Sequence, residues 1–204
     1  MNITRTSDAS AVEASTIPPL DRTPTGRALP YVDLAEGAFE QLLAADQVTT
    51  EELEHLIGLA GRNNGPALLF DAWFGKKINR DTLTAVIGPA WSAAEYPDQN
   101  LDRGTWRYLF RKSGFTVDGK PADRPDGPLT LWRGSVPGRR RDWSWSTDRG
   151  VAEGYANGTA ARRPQGRLYR VVAPPEALLC ANNGRDEAEY VIDTRHLRIT
   201  EAPR

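Results

Sequence analysis

Apolar residues recur at helical spacing through the first half of the chain and in short alternating runs through the second. From Val32, the positions Leu34, Phe39, Leu42 and Leu43 begin a helical pattern. Thr49 with Glu52 three residues on forms a capping box ahead of Leu53, Leu56, Ile57 and Ala60, which share one face. Gly61 and the cluster Asn63, Asn64, Gly65 end that helix, and Pro66 starts a third carrying Leu68, Leu69, Phe70, Trp73 and Phe74. A fourth begins near Asp81 and runs through Leu83, Val86 and Ile87, with Pro89 inside it as a kink. A fifth, Arg103 to Lys112, carries Trp106, Leu109 and Phe110. Aromatics at these intervals read as inter-helix packing. Lys76, Lys77, Arg103, Arg107, Arg111 and Lys112 read as a solvated basic face.

Between Gly114 and Pro128 the chain is dense in Gly, Pro and Asp, which predicts a loop or short hairpin and a boundary. Beyond it the runs are β-like: Leu129 to Gly134, Asp142 to Thr147, Leu168 to Val172, Glu189 to Ile192, and a further run from His196 to Thr200. One helix interrupts them, Asp148 to Ala156. Helices first and strands after predict an α+β fold, an N-terminal helical region packed on a small mixed or antiparallel β-core. The expected division is a flexible arm over residues 1–29, a helical subdomain over 30–115 and a β-rich core over 116–204. The arm is rich in Ser, Thr, Pro and Arg and has too little apolar surface to offset its ordering entropy.

Composition narrows the function classes. The chain has 204 residues, 39% of them hydrophobic and 26% charged, with a net charge of -1, so nothing global marks a nucleic-acid or membrane binder. One cysteine, Cys180, excludes an internal disulfide framework, and two distant histidines, His55 and His196, give no His/Cys metal cluster. No stretch approaches the run of about 18 apolar residues that a membrane span needs, and the N-terminus lacks a signal-peptide core. A cytoplasmic protein without metal or membrane is the expectation.

Four features carry candidate chemistry. The segment GRDEAEYVID places Glu187 and Glu189 one residue apart; in a strand both would face one site, and repulsion would separate their acid and base duties. Two solvated glutamates on an edge strand are the plain alternative. Arg133, followed at once by Gly134, can approach a phosphate bidentately or serve as a structural ion pair. Ser144 and Ser146 alternate with Trp143 and Trp145, so a strand would turn both hydroxyls to a cleft and both indoles to the core. No His/Asp set accompanies these serines, so they position partners rather than attack. Arg139, Arg140 and Arg141 form a basic turn facing nucleic acid, a pyrophosphate or water.

In this order, a strand arginine in LWRG, Ser146-Thr147-Asp148 leading into a helix with Tyr155, and EAEYVID, the chain resembles the ADP-ribosyltransferases of the arginine/serine/glutamate group. That group includes bacterial arginine-modifying toxins and bacteriophage transferases, and the resemblance covers roughly residues 129–200. It implies a split-sheet fold and NAD as substrate. It assigns catalysis to Glu189, Glu187 and Ser146, and NAD contacts to Arg133, Gly134, Ser144, Thr147 and Tyr155. Arg133, Ser146 and Glu189 must then converge on one cleft. Two departures from the family stand out: the serine motif ends in Asp148, and only thirteen residues separate Arg133 from Ser146, so their strands must connect directly through Pro137 to Arg139.

The implied reaction splits the nicotinamide–ribose bond through an oxocarbenium-like transition state. Glu189 would stabilise the developing charge, Ser146 would orient Glu189, and Glu187 would choose and deprotonate the acceptor, a protein arginine. Residues Ala181 to Asp186 fall where the family has its acceptor loop. A nucleic-acid base or water as acceptor is the alternative within the enzyme class; a non-catalytic module that keeps the fold is the alternative outside it.

Overall fold

Local sequence signals set the first helices. The computed structural model describes residues 30–158, 164–184 and 188–203, with side chains from Leu34 onward. Helix α1 spans Pro30–Ala44 and α2 Thr50–Ala60. The Thr49 capping box is present in both directions: the Thr49 hydroxyl accepts from the Glu52 amide and the Glu52 carboxylate from the Thr49 amide. Helices α3 (Gly65–Phe74) and α4 (Arg80–Ala93, with Pro89 inside it) follow, then a short α5 (Pro97–Asn100) and α6 (Arg103–Ser113). The α5 turn has too few residues to carry a periodic signal. In α1 Ala38 and Leu42 are buried and Phe39 packs half-buried beside them, while Leu34 and Leu43 are exposed, so two of the four predicted positions face the core.

Strands begin directly after α6. Thr116–Val117 (β1) and Lys120–Pro121 (β2) make the expected hairpin across Gly114 to Pro128. Then come Leu129–Ser135 (β3), Ser144–Ser146 (β4), helix α7 at Arg149–Ala156, Arg167–Ala173 (β5), Leu178–Asn182 (β6), Glu189–Ile192 (β7) and Thr200–Glu201 (β8). One eight-stranded sheet results, in the order β2-β1-β6-β7-β4-β3-β5-β8. Every neighbouring pair is antiparallel except β1 with β6. The protein is therefore α+β, an N-terminal helical region packed on a small mixed sheet.

Three strand expectations change. Ala181 and Asn182 belong to β6 rather than to a loop, because Leu178, Leu179 and Cys180 are buried and carry the chain through the sheet as a central strand. The last strand is Thr200–Glu201, since His196 adopts a φ of 63° and turns the chain before it. Trp143 and Trp145 do not share a face. Because β4 starts only at Ser144, alternation does not extend back to Trp143.

Two clusters hold the layers together. Trp143, Leu179, Cys180 and Val191 of the sheet region are buried with Leu83, Ile87, Trp91, Trp106 and Phe110 of the helices, a core shared across the expected boundary. Trp143 stacks on Trp91 with centroids 5.3 Å apart and an interplanar angle of 16°. On the other face Trp145 joins Leu131, Val171, Leu178 and Ile192. The register shift between Leu178 and Cys180 is what lets these two residues enter different clusters. Helix α7 packs across β3 through Ala152 and Ala156, beside Leu168 of β5.

Of the expected solvated basic face, Lys76, Arg111 and Lys112 are exposed, but Arg103 and Arg107 of α6 fasten the helices to the sheet instead. Arg107 Nε donates to Asp193 Oδ2 at 2.8 Å, just past β7, and its guanidinium lies over Trp143. Burial raises the Asp193 carboxyl, but hydrogen bonds from Arg195 and Arg107 outweigh it, so its pKa lies below the ordinary carboxylate value. A depressed folded pKa contributes stability above the unfolded pKa that is lost as pH falls through the folded one. Thermal melts should therefore lose stability as pH drops below the ordinary carboxylate range, and Asp193→Asn should flatten that acid slope. An Asp193→Asn slope identical to the parent's would show that the pair adds nothing.

Candidate functional site: a cleft at the seam of the sheet

Strand β3 pairs with β5 along its whole length, from Leu129 opposite Ala173 to Ser135 opposite Arg167. With β4 it pairs only at Trp132 and Ser146. Beyond that rung the two strands diverge, and a cleft of about 660 Å³ opens between them. Helix α4 and the segment after it wall one side through Trp91 and Tyr96; α7 walls the other through Val151, Ala152 and Tyr155. The direct connection from β3 to β4 runs through a single 3-10 turn, Pro137–Arg139, as the short interval requires.

Arg133, Ser146 and Glu189 all line this cleft, together with Gly134, Ser144 and Tyr155. Thr147 is exposed and stands outside the lining, with its amide donating to the Ala188 carbonyl. Glu187 and the 185–186 part of the expected acceptor loop, like the arm over 1–29, lie outside the described residues. Strand β7 begins at Glu189, and Ala188 before it has a φ of 41°; the expected placement of Glu187 on the face of Glu189 falls on a residue outside those described.

Glu189 is 7% exposed, on a strand with neighbours on both sides. Ser146 stands opposite it on β4 and Asn182 opposite it on β6. The Asn182 amide Nδ2 lies 3.1 Å from Glu189 Oε2 and donates to it. Ser146 is also buried, and its Oγ accepts the Asp148 amide at 2.9 Å. Asp148 in turn caps α7, accepting the amides of Gly150 and Val151. The aspartate in the third position of the serine motif thus starts the helix that forms the far wall. Ser144 Oγ accepts Trp91 Nε1 at 3.1 Å, which ties the α4 wall to the β4 floor.

Arg133 is tightly engaged. Its Nε donates to the Arg139 carbonyl, Nη1 to the Ser144 carbonyl at 2.6 Å and Nη2 to Asp142 Oδ2 at 3.0 Å. The guanidinium fills the position where the diverging strands no longer bond each other. Asp142 gathers three arginines, accepting also from Arg139 and from Arg103 of α6. The basic turn is likewise not simply solvated: Arg139 lies over Tyr96 at 4.8 Å, Arg140 donates to the Pro137 carbonyl and Arg141 to the Thr194 carbonyl. Neither Asp142 nor Asn182 stands out in the sequence as site framework, since each is a single polar residue in a segment read as strand or turn.

Gly134 follows Arg133 for a steric reason. A Cβ there would fall on the Ala152 carbonyl oxygen and the Ala156 nitrogen, and would stand 2.8 Å from the Tyr155 carbonyl carbon. Only a residue without a side chain lets α7 lie this close to β3. Cys180, fully buried beside the site, has its thiol pushed well above the usual value by burial and then by the Glu189 carboxylate. It stays protonated and is no nucleophile at neutral pH.

Among the described residues no group of three or more His, Cys, Asp or Glu is placed to hold a metal, and no helix is long and apolar enough to cross a membrane. Compared with family models, with curated proteins and with solved structures, the chain matches none.

Proposed function

We propose that the protein is an NAD-dependent mono-ADP-ribosyltransferase of the arginine/serine/glutamate kind, with a split-sheet catalytic core and a protein arginine as acceptor. The reading is carried by one observation: a buried glutamate, its cross-strand serine and an arginine at a strand end line a single cleft where the sheet divides. The cleft, about 660 Å³, falls within the range typical of small-molecule sites. Its lining includes the aromatic residues Tyr96, Trp132 and Tyr155 and the arginines Arg62 and Arg139, residue types suited to a base and a pyrophosphate.

In this mechanism Glu189 faces the nicotinamide ribose and stabilises positive charge as the glycosidic bond breaks. Burial strengthens that interaction, because a carboxylate in a low-dielectric wall acts on the reacting carbon with little screening. Arg133 shapes the wall through the Ser144 carbonyl and Asp142. Glu187 deprotonates the acceptor guanidine.

Incubating the protein with NAD labelled in the adenosine half and a mixed protein acceptor tests this. Protease-sensitive label on arginine, with release of nicotinamide, is the expected outcome. Nuclease-sensitive label would move the acceptor to nucleic acid, and nicotinamide release without labelled macromolecule would indicate hydrolysis. Neither NAD binding at millimolar concentration nor nicotinamide release would leave a non-catalytic module.

A further inference from the structure

Glu189 has one flanking strand that the proposed mechanism uses and one that it does not. On β4 stands Ser146; on β6, in register on the opposite side, stands Asn182. Directly opposed residues of neighbouring strands project to the same face, so Ser146, Glu189 and Asn182 form one row across three strands. Ser146 and Glu189 line the cleft and Asn182 does not, so Asn182 meets Glu189 from behind.

The contacts of that amide fix its orientation. Nδ2 lies 3.1 Å from Glu189 Oε2, 3.5 Å from the Gly88 carbonyl of α4 and 3.7 Å from Cys180 Sγ. A carboxylate oxygen and a backbone carbonyl are acceptors only, so the end facing them is the NH2 group. Space on the other side is closed as well. A Cβ at Gly88 would come 2.9 Å from Asn182 Oδ1 and 3.4 Å from Cys180 Sγ, so α4 lies against the amide with no room for a methyl group. The side chain is thus confined between a helix backbone and the acid.

We propose that Asn182 is a second positioning residue for Glu189 beside Ser146, its amide donating to Oε2 and fixing the carboxylate in the orientation it needs at the ribose. The inference rests on the NAD-cleaving reading of the cleft. A buried glutamate has three side-chain torsions, and a preorganised charge helps only if it need not reorient as the transition state forms. A fixed donor on the side away from the ligand supplies that restraint. The helical region takes part in the reaction by this route, through the backbone of α4 at Gly88.

The test compares the parent, Glu189→Gln, Asn182→Ala and Asn182→Asp, measuring kcat and KM for nicotinamide release alongside thermal melts. Asn182→Ala should lower kcat by roughly tenfold to a hundredfold while KM stays within about twofold, since the amide touches the acid and not the ligand. Asn182→Asp keeps the shape without the donor and should lose at least as much. Parent-like kcat in Asn182→Ala, with Glu189→Gln inactive, would overturn the positioning role alone. Recovery of kcat in Asn182→Asp would do the same, by showing that shape suffices, as would a raised KM at unchanged kcat. A parent that releases no nicotinamide overturns the NAD reading and this inference with it.

Discussion

Glu189→Gln should lower NAD cleavage by a factor of about a hundred to a thousand, with a melting temperature equal to or above the parent's. The activity loss follows from removing a preorganised charge at the reacting centre, an effect of roughly that size where single groups of this kind have been removed. The stability expectation follows from burial. Glu189 is 7% exposed, and exchanging its charge for a neutral amide of equal shape removes the cost of keeping an ion out of water. The glutamine carbonyl can still accept from Asn182 Nδ2. Loss of activity and retention of stability together separate a catalytic carboxylate from a structural one. Kinetics of nicotinamide release with a parallel thermal melt decide it, and turnover at the parent's rate would remove Glu189 from the chemistry.

The second large effect is on stability. Gly134→Ala should cost about 3 kcal/mol or more, a fall in melting temperature of roughly 6–12 °C for a chain of this size. The new methyl meets the Ala152 and Ala156 backbone, which cannot rotate aside as a side chain can. Either α7 moves off β3 or β3 shifts within the sheet, and both disturb the cleft wall that carries Val151 and Tyr155. Gly138→Ala is the matching control, because a Cβ there meets nothing within 4 Å, and it should change stability by less than about 0.5 kcal/mol. Equal melting temperatures for the two variants would mean that α7 and β3 tolerate separation.

The elements that were legible in the sequence are those built from local rules. Thr49 and Glu52 cap α2 because the capping box is a four-residue device with no tertiary requirement. The hairpin at Asp118 and Gly119 is likewise local turn chemistry. That Arg133, Ser146 and Glu189 share one cleft was an expectation of the resemblance and of no local rule; each lies at or near a strand end that borders the cleft. What was not legible depends on neighbours distant in sequence. Asn182 looks like turn chemistry beside Asn183 and Gly184, and only pairing of β6 with β1 and β7 makes it part of a strand. Trp143 reads as the partner of Trp145 until the strand proves three residues long and Trp91 stacks on it. Arg103 and Arg107 of α6 look solvated until Asp142 and Asp193 arrive from the sheet region.

The single rung between Trp132 and Ser146 makes the sheet two leaves. One leaf is β3, β5 and β8 with α7 lying across β3; the other is β4, β7, β6, β1 and β2, with α4 against them. Swinging the leaves apart at the mouth of the cleft breaks no ladder inside either one. Arg133, bonded to the Ser144 carbonyl and to Asp142, lies across the gap like a clasp. Behind it Leu131 and Val171 of one leaf pack against Trp145, Leu178 and Ile192 of the other, so the width of the cleft is set by a core that both leaves share, and a ligand meets walls already spaced before it arrives.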